Sequence, residues 1–252
     1  MNLVVCLKRV PDTITKIKIG PGAKGIDPQG VEFVVNPYDE LAIEAALRLK
    51  EKAGSGEVVG VTLDPEGSDV AMRKALAIGI DRGVIIKGGT NFDSYPVAEV
   101  LAGVLKTMKF DILFFGKNAV DDDAYQVPTM VAHLLALPRV TTCVALEVEG
   151  GRAKCRRQIE GGEESVDVPL PCVISVQKGI NGIHDRRYPS VKGIMAAKTK
   201  PVQTVAAPAF EPRLELLKME LPPERPPGRI VGRGVEAVPE LVRLLKEEAK
   251  VL

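Results

Sequence analysis

The chain has 252 residues, enough for one large domain or for one domain carrying a substantial arm. Its 34 Lys and Arg against 33 Asp and Glu leave a formal charge of +1, which offers no electrostatic footprint for nucleic acid or for an anionic membrane. Four scattered cysteines without a CxxC spacing argue against zinc or a redox dithiol, and His133 and His184 lie too far apart in sequence to assign a triad.

The first residues read directly as a strand, without a signal peptide, and no apolar run is long enough to span a bilayer. The expectation is a cytoplasmic protein whose Cys6, Cys143, Cys155 and Cys172 are buried and reduced. Leu3 to Leu7 is a first buried strand, with Lys8, Arg9, Pro11 and Asp12 in the loop at its end. Ile14 to Val35 alternates weakly around GPGAKGIDPQG and predicts a hairpin-like excursion. Asn36-Pro37-Tyr38-Asp39 starts a helix: Asn36 can cap it, Pro37 suits its first position and Asp39 its first turn. Leu41, Ala42, Ala45, Ala46 and Leu49 supply its buried stripe, which ends near Gly54.

Glu57 to Leu63 is the second core strand, followed by the loop Asp64 to Gly67. Ser68 is placed to cap a helix through Ala71, Ala75, Leu76 and Ile78 that stops at Gly79. Val84 to Lys87 is a strand, and Ser94 opens a helix over Pro96 to Met108. Strands and helices alternating with short loops imply a parallel sheet with right-handed crossovers.

The chain is organised around Asp111 to Met130. Ile112 to Phe115 is an apolar run suited to a strand buried on both faces, and Gly116 breaks it. A polar loop, Lys117 to Ala124, follows, and from Gln126 the spacing of Val127, Met130, Val131, Leu134 and Leu135 turns helical. A strand end, a glycine turn and a helix start are where an open parallel sheet binds a ligand, and free amides at the helix dipole suit a phosphate. The carboxylates Asp121, Asp122 and Asp123 oppose a phosphate, and two accounts of them stand: they cap the following helix, or they hold a metal ion.

After Pro138 the texture changes to period two. Cys143 to Val148, Arg152 to Gln158 and Ser165 to Val168 predict antiparallel hairpins, joined at Glu149-Gly150-Gly151 and Glu160 to Glu163. Cys172 to Val176 returns as a buried strand. From Pro201 to Glu236 the chain is proline-rich and irregular, a mobile tail or an arm lying on a partner, and Pro239 to Val251 closes it as an amphipathic helix.

Five stretches together resemble the β (small) subunit of the electron-transfer flavoproteins. They are VVCLKRVPD at Val4 to Asp12, NPYDELAIEAALRLKE at Asn36 to Glu51, ALAIGIDRG at Ala75 to Gly83, GKNAVDDDAYQ at Gly116 to Gln126 and RRYPSVKGIMAAKTK at Arg186 to Lys200. They occur in the family's order, and the resemblance runs end to end. It implies a Rossmann-like α/β fold, an open and mostly parallel sheet flanked by helices, with antiparallel hairpin additions. Residues 1–200 would form the nucleotide-binding domain and residues 201–252 a C-terminal arm and helix contacting an α subunit.

The resemblance further implies a heterodimer whose α subunit carries FAD, accepting electrons from acyl-CoA and related dehydrogenases and passing them to a membrane quinone oxidoreductase. This chain would be an electron-carrier subunit without a catalytic residue or metal ligand, holding a structural AMP. Carried over by motif, the contacts come from Cys6, from Asn36, Pro37, Tyr38 and Asp39, and from Leu63. The remainder come from Gly116, Lys117, Asn118, Ala119, Val120, Asp121, Asp122, Asp123, Ala124, Tyr125, Gln126 and Val127.

The loop Asn181 to Met195 is assigned to recognition of dehydrogenases, with Val191 as apolar anchor beside Tyr188, Pro189, Ile194 and Met195, and with Arg186, Arg187 and Lys192 as steering charges. Three positions depart from the family's pattern: Thr13 where an aromatic residue is frequent, Val127-Pro128 where a threonine is, and Val191 where a leucine is. Alternatives are an electron-bifurcating relative that binds a second FAD here, and, in another class, an adenine-nucleotide-binding stress or ATP-hydrolysing protein. The phosphate loops of the last two are missing.

Overall fold

The computed structural model describes residues 1–64, 69–88, 93–182, 186–224 and 227–252. Strand β1 (Asn2–Leu7) is followed by the short antiparallel pair β2 (Arg9–Pro11) and β3 (Phe33–Val35), which form the stem of the excursion, bridged again at Ile19 and Ile26. Thus the expected loop after the first strand is itself half of a ribbon. Helix α1 (Pro37–Ala53) ends at Gly54 in the left-handed conformation that glycine adopts without strain. Then come β4 (Glu57–Asp64), α2 (Val70–Ile78), β5 (Arg82–Lys87), α3 (Ser94–Leu105), β6 (Ile112–Gly116) and α4 (Val127–Leu134).

The second half adds β7 (Arg139–Glu149), β8 (Arg152–Ile159), β9 (Gly162–Pro169) and β10 (Cys172–Val176). It continues with α5 (Val191–Ala197), β11 (Val202–Ala206) and the terminal α6 (Val238–Glu247). The main sheet has the order β11-β5-β4-β1-β6-β10-β7-β8-β9; pairing is parallel from β11 to β7 and antiparallel across β7, β8 and β9. Among the described residues no helix is long and apolar enough to cross a membrane.

Alternation along β1 divides the core. Leu3, Val5 and Leu7 face the side packed by α1 and α2, while Val4 and Cys6 face α3 and α4. Both faces are therefore covered, which explains why β6 carries the buried run Ile112, Leu113, Phe114, Phe115 instead of an alternating one. All four cysteines are buried free thiols.

The boundaries depart from expectation where one residue does two jobs. β7 begins at Arg139, because its first residues pair with β10 before a bulge and the left-handed Thr142 redirect it toward β8. Helix α3 begins at Ser94 with Asp93, rather than Ser94, as its cap. The expected loop at Pro65 to Gly67 and the cap at Ser68 lie outside the described residues, as does His184. The stretch after Pro201 is not irregular at once: Val202–Ala206 pairs in register with β5 and closes the sheet's edge. Helix α6 buries none of its residues against this chain.

Candidate functional site

The chain runs outward from β1 through β4 and β5, then returns to lay β6 on the other side of β1. Connections diverge where β1 and β6 end, so a crevice opens between their C-terminal ends, as at the switch point of any doubly wound sheet. A cleft of about 720 Å³, part of it open to solvent, lies there. Its walls include Cys6 and Leu63 from strand ends, Asn36 and Asp39 from the start of α1, and Gly116 at the end of β6. Asn118, Ala119, Asp122, Ala124 and Tyr125 come from the loop, and Gln126 and Val127 from the start of α4.

Gly116 has to be glycine. A Cβ built there would stand 2.5 Å from Asp39 Oδ1, 2.6 Å from Tyr38 Cβ and 2.8 Å from the Tyr38 carbonyl carbon. The start of α1 therefore sits directly on the end of β6, and Asp39 uses the proximity. Its Oδ1 accepts from the Gly116 amide at 3.0 Å and its Oδ2 from the Lys8 amide at 2.8 Å, so one carboxyl joins the ends of β6 and β1. Burial pushes that carboxyl up to about 7, against the lowering effect of the Lys8 amide, the Asn36 side chain and the Gly116 amide. Burial, and then the neighbouring Asp39, also push the Cys6 thiol well above its ordinary value.

Asn36 occupies the cap position of α1, and its carbonyl accepts from the Asp39 and Glu40 amides, but its side chain does not cap. Instead Nδ2 donates to the Asn118 carbonyl at 2.8 Å and Oδ1 accepts from the Val120 amide at 3.3 Å, so the side chain clasps the loop. The loop can be held in this way because it is already bent: Asp123 and Tyr125 both have left-handed φ angles, of 51° and 60°.

The three aspartates neither cap α4 nor gather round a vacant centre. Asp121 and Asp122 each pair with Lys8 Nζ at 2.8 Å, and Asp122 also accepts from the Ala124 amide. Burial alone would lower the Lys8 pKa, but the ion pairs with Asp121 and Asp122 outweigh it and raise it. Asp123 accepts from Asn118 Nδ2. The start of α4 has Pro128 in its first turn, no acidic residue there and no side-chain cap. Its first amides have no intrahelical acceptor and the positive end of its dipole is free for an anion.

Among the described residues, one buried polar atom lining the cleft has no hydrogen-bond partner: Asn118 Oδ1, whose residue is 8% exposed. An acceptor of this kind is costly to leave unmet and calls for a donor from whatever fills the cleft. Around it the walls are largely apolar, with Val97 and Leu101 on α3 and Phe115 on β6. An aromatic base with a donor group and an anionic end fits these features.

Six of the expected contacts do not line the cleft: Pro37, Tyr38, Lys117, Val120, Asp121 and Asp123. Lys117 instead places Nζ 4.8 Å from the Tyr38 ring centre and 5.3 Å from that of Tyr125. Leu7, Lys8, Ser94, Val97, Leu101, Phe115 and Pro128 line it without having been expected. Ser94, Val97 and Leu101 repeat at three and four residues, a helical face whose direction only the sheet order reveals.

The expected recognition segment forms a second surface. Val191, Ile194 and Met195 lie on helix α5 and not in a loop, with Ser190 capping the helix through the Gly193 amide at 3.0 Å. Val191 is 81% exposed and Tyr188 74%, so the valine does not tuck into the core. Pro189 and Ile194 border a shallow groove against Ala77 of α2. Arg186 and Arg187 are not free steering charges. Arg186 pairs with Glu40, and Arg187 with Glu44 at 2.7 Å and Glu51 at 2.6 Å, all on α1.

A family model described as the electron transfer flavoprotein domain matches residues 24–210. The chain is 40% identical over 252 residues to a protein of Syntrophomonas wolfei named electron transfer flavoprotein subunit beta, covering 100% of this chain and 98% of that one. It is 38% identical over 263 residues to the Bacillus subtilis protein of the same name, covering all of both. With a mouse protein of that name the identity is 36% over 255 residues, covering 100% and 99%.

Proposed function

The chain belongs to the electron transfer flavoprotein family, and from that premise we propose that it is the β subunit of a heterodimer and holds one AMP. The α subunit of this pair carries FAD, which supplies the electron-transfer chemistry when bound. The pair takes electrons from dehydrogenases, acyl-CoA dehydrogenases among them, and delivers them to a membrane quinone oxidoreductase. In this chain the role is to bind, orient and dock.

The single observation that carries the AMP reading is the unpartnered Asn118 Oδ1 in a cleft at the switch point. A nucleobase between Leu63, Val97, Leu101 and Phe115 can give it the missing donor, while the phosphate takes the free amides at the start of α4. Lys8 supports this by pairing with Asp121 and Asp122, which offsets their charge beside an anion, and Asn118 by engaging Asp123. The α5 surface around Val191 is the proposed dehydrogenase contact, since an exposed apolar group on a firmly held segment serves transient association.

Mass spectrometry of an acid extract of the purified complex tests the reading. One equivalent of AMP with one of FAD is expected. Two equivalents of FAD without AMP would instead establish the bifurcating alternative, and no adenine nucleotide at all would remove the cleft's assignment.

A further inference from the structure

After β11 the chain does not leave the domain at once. The Ala207 amide donates to the Lys87 carbonyl at 2.8 Å, Pro208 packs against Gly103 of α3, and Phe210 joins the core on that side. The path then meets Asp93. This residue is 2% exposed, and its two oxygens do different work. Oδ1 caps α3 by accepting from the Tyr95 amide at 3.2 Å. Oδ2 accepts from two successive amides of the arm, Arg213 at 2.8 Å and Leu214 at 2.9 Å. The Arg213 guanidinium lies 3.8 Å over the Tyr95 ring, closing the contact from above.

From this point the arm crosses to the excursion, where the Met219 amide donates to the Ala23 carbonyl at 2.7 Å and Lys24 donates to the Leu216 carbonyl. Leu214, Leu217 and Leu221, which flank the crossing, are all at least 60% exposed. These side chains lie on a stretch without regular structure of its own, so the interactions at Asp93 and at the excursion set the direction in which the arm presents them.

We propose that Asp93 is a positioning residue for assembly: its Oδ2 latches the arm at Arg213 and Leu214 and so presents the arm's exposed leucines to the α subunit. This rests on the subunit reading above. A segment fixed before binding spares the association the entropy of ordering it, and a buried carboxylate oxygen shared by two amides fixes direction better than apolar contact alone. The neighbouring Ser94 lines the nucleotide cleft, so the latch is seated on the cleft's own wall.

The test separates the two oxygens. Asp93→Ser keeps a good helix cap for the Tyr95 amide but has no second oxygen for the arm. In the complex, it is expected to leave the melting temperature and nucleotide content of this chain close to wild type. It should weaken α-subunit affinity by about tenfold and speed hydrogen exchange at the Arg213 and Leu214 amides in the free chain. Asp93→Asn, which can keep the cap while turning an N–H toward the arm amides, should act alike. Should Asp93→Ser fail to fold, Arg213→Pro removes one latch donor from the arm side, together with the guanidinium over Tyr95, leaving Asp93, the cap and the three leucines untouched, and the same loss of affinity is expected. Wild-type affinity in Asp93→Ser or in Arg213→Pro, or unchanged exchange at the Arg213 and Leu214 amides in Asp93→Ser, overturns the proposal. Failure of the wild-type chain to bind a flavin-bearing partner would strike the subunit reading, whereas unchanged exchange at 213 and 214 strikes the latch itself.

Discussion

Replacing Gly116 by alanine adds a single methyl group at the most crowded point of the cleft. The new Cβ would lie 2.5–2.8 Å from Asp39 Oδ1, Tyr38 Cβ and the Tyr38 carbonyl carbon, whereas carbon atoms settle near 3.5–4.0 Å. Two of the three obstacles are the Cβ and carbonyl carbon of Tyr38, in the first turn of α1, and cannot swing aside like the end of a long side chain, so the helix start must back away from β6. Overpacking of this sort costs about 1–3 kcal/mol. Backing away also lengthens the bond from the Gly116 amide to Asp39, which contributes roughly another 1 kcal/mol. A total of about 3 kcal/mol in a chain of this size lowers the melting temperature by roughly 6–12 °C. Because Asn36 clasps the loop from the same helix start, nucleotide retention should fall along with stability. Thermal unfolding followed by circular dichroism, together with nucleotide content after gel filtration, measures both. A Gly116→Ala protein that melts within about 2 °C of wild type and keeps its full nucleotide would refute the claim that α1 is seated on the end of β6.

The Asp39 carboxyl, pushed up to about 7 by burial, keeps its proton in the folded chain at pH values where the unfolded chain has lost it. Its contribution to stability is thus fully present below the ordinary carboxylate range and is lost as pH rises through about 7; Asp39→Asn should flatten the melting-temperature profile across that window, and an unchanged slope would count against it. Val191→Asp should leave melting and flavin content unaltered, given an 81% exposed side chain, while raising the apparent binding constant for a dehydrogenase. Val191→Ala, which removes two carbons of the side chain, should do so by a factor of about 10 if its burial in the complex is complete, and a fold destabilised by either change would make the segment structural. Expressed alone, the chain should be colourless by absorption spectroscopy and gain a bound flavin only with its α subunit; a tight stoichiometric flavin on the isolated chain contradicts that division of labour.

Much of the fold was legible because the physics involved is local. Val4 and Cys6 alternate with Leu3, Val5 and Leu7, Pro37 and Gly54 bracket α1, and Ile112 to Phe115 has no polar residue to turn toward water. The position of the cleft followed from the strand-glycine-helix order alone. Side-chain partnerships across long sequence distances did not. Asn36 looks like a cap in sequence because its neighbours are helical, yet its side chain finds better partners at residues 118 and 120, more than eighty positions away. Asp93 and Ser94 are both good cap residues in sequence, and only the arm's return, about 120 residues later, favours the one with two oxygens. The strand Val202–Ala206 was hidden by the prolines that follow it, and its pairing with β5 depends on an open sheet edge that no local pattern reveals.

Charge placement was the least legible feature, and it alters how docking works. In sequence, Arg186 and Arg187 stand beside an apolar anchor and look available to a partner. In the fold they answer a row of carboxylates on α1, where Glu40 and Glu44 are buried and each is paired with an arginine. Arg187 bridges Glu44 and Glu51, which lie two turns apart on the same helix face, and holds Glu44 below the ordinary carboxylate range against the effect of its burial. The two arginines therefore spend their donors on fixing the segment that leads into α5. Val191 follows an ion-paired segment, and α1, whose first turn forms one side of the cleft, is the helix that holds it. On the proposed docking reading, an anchor held in this way favours specificity through the fit of one apolar side chain over long-range attraction by these two arginines.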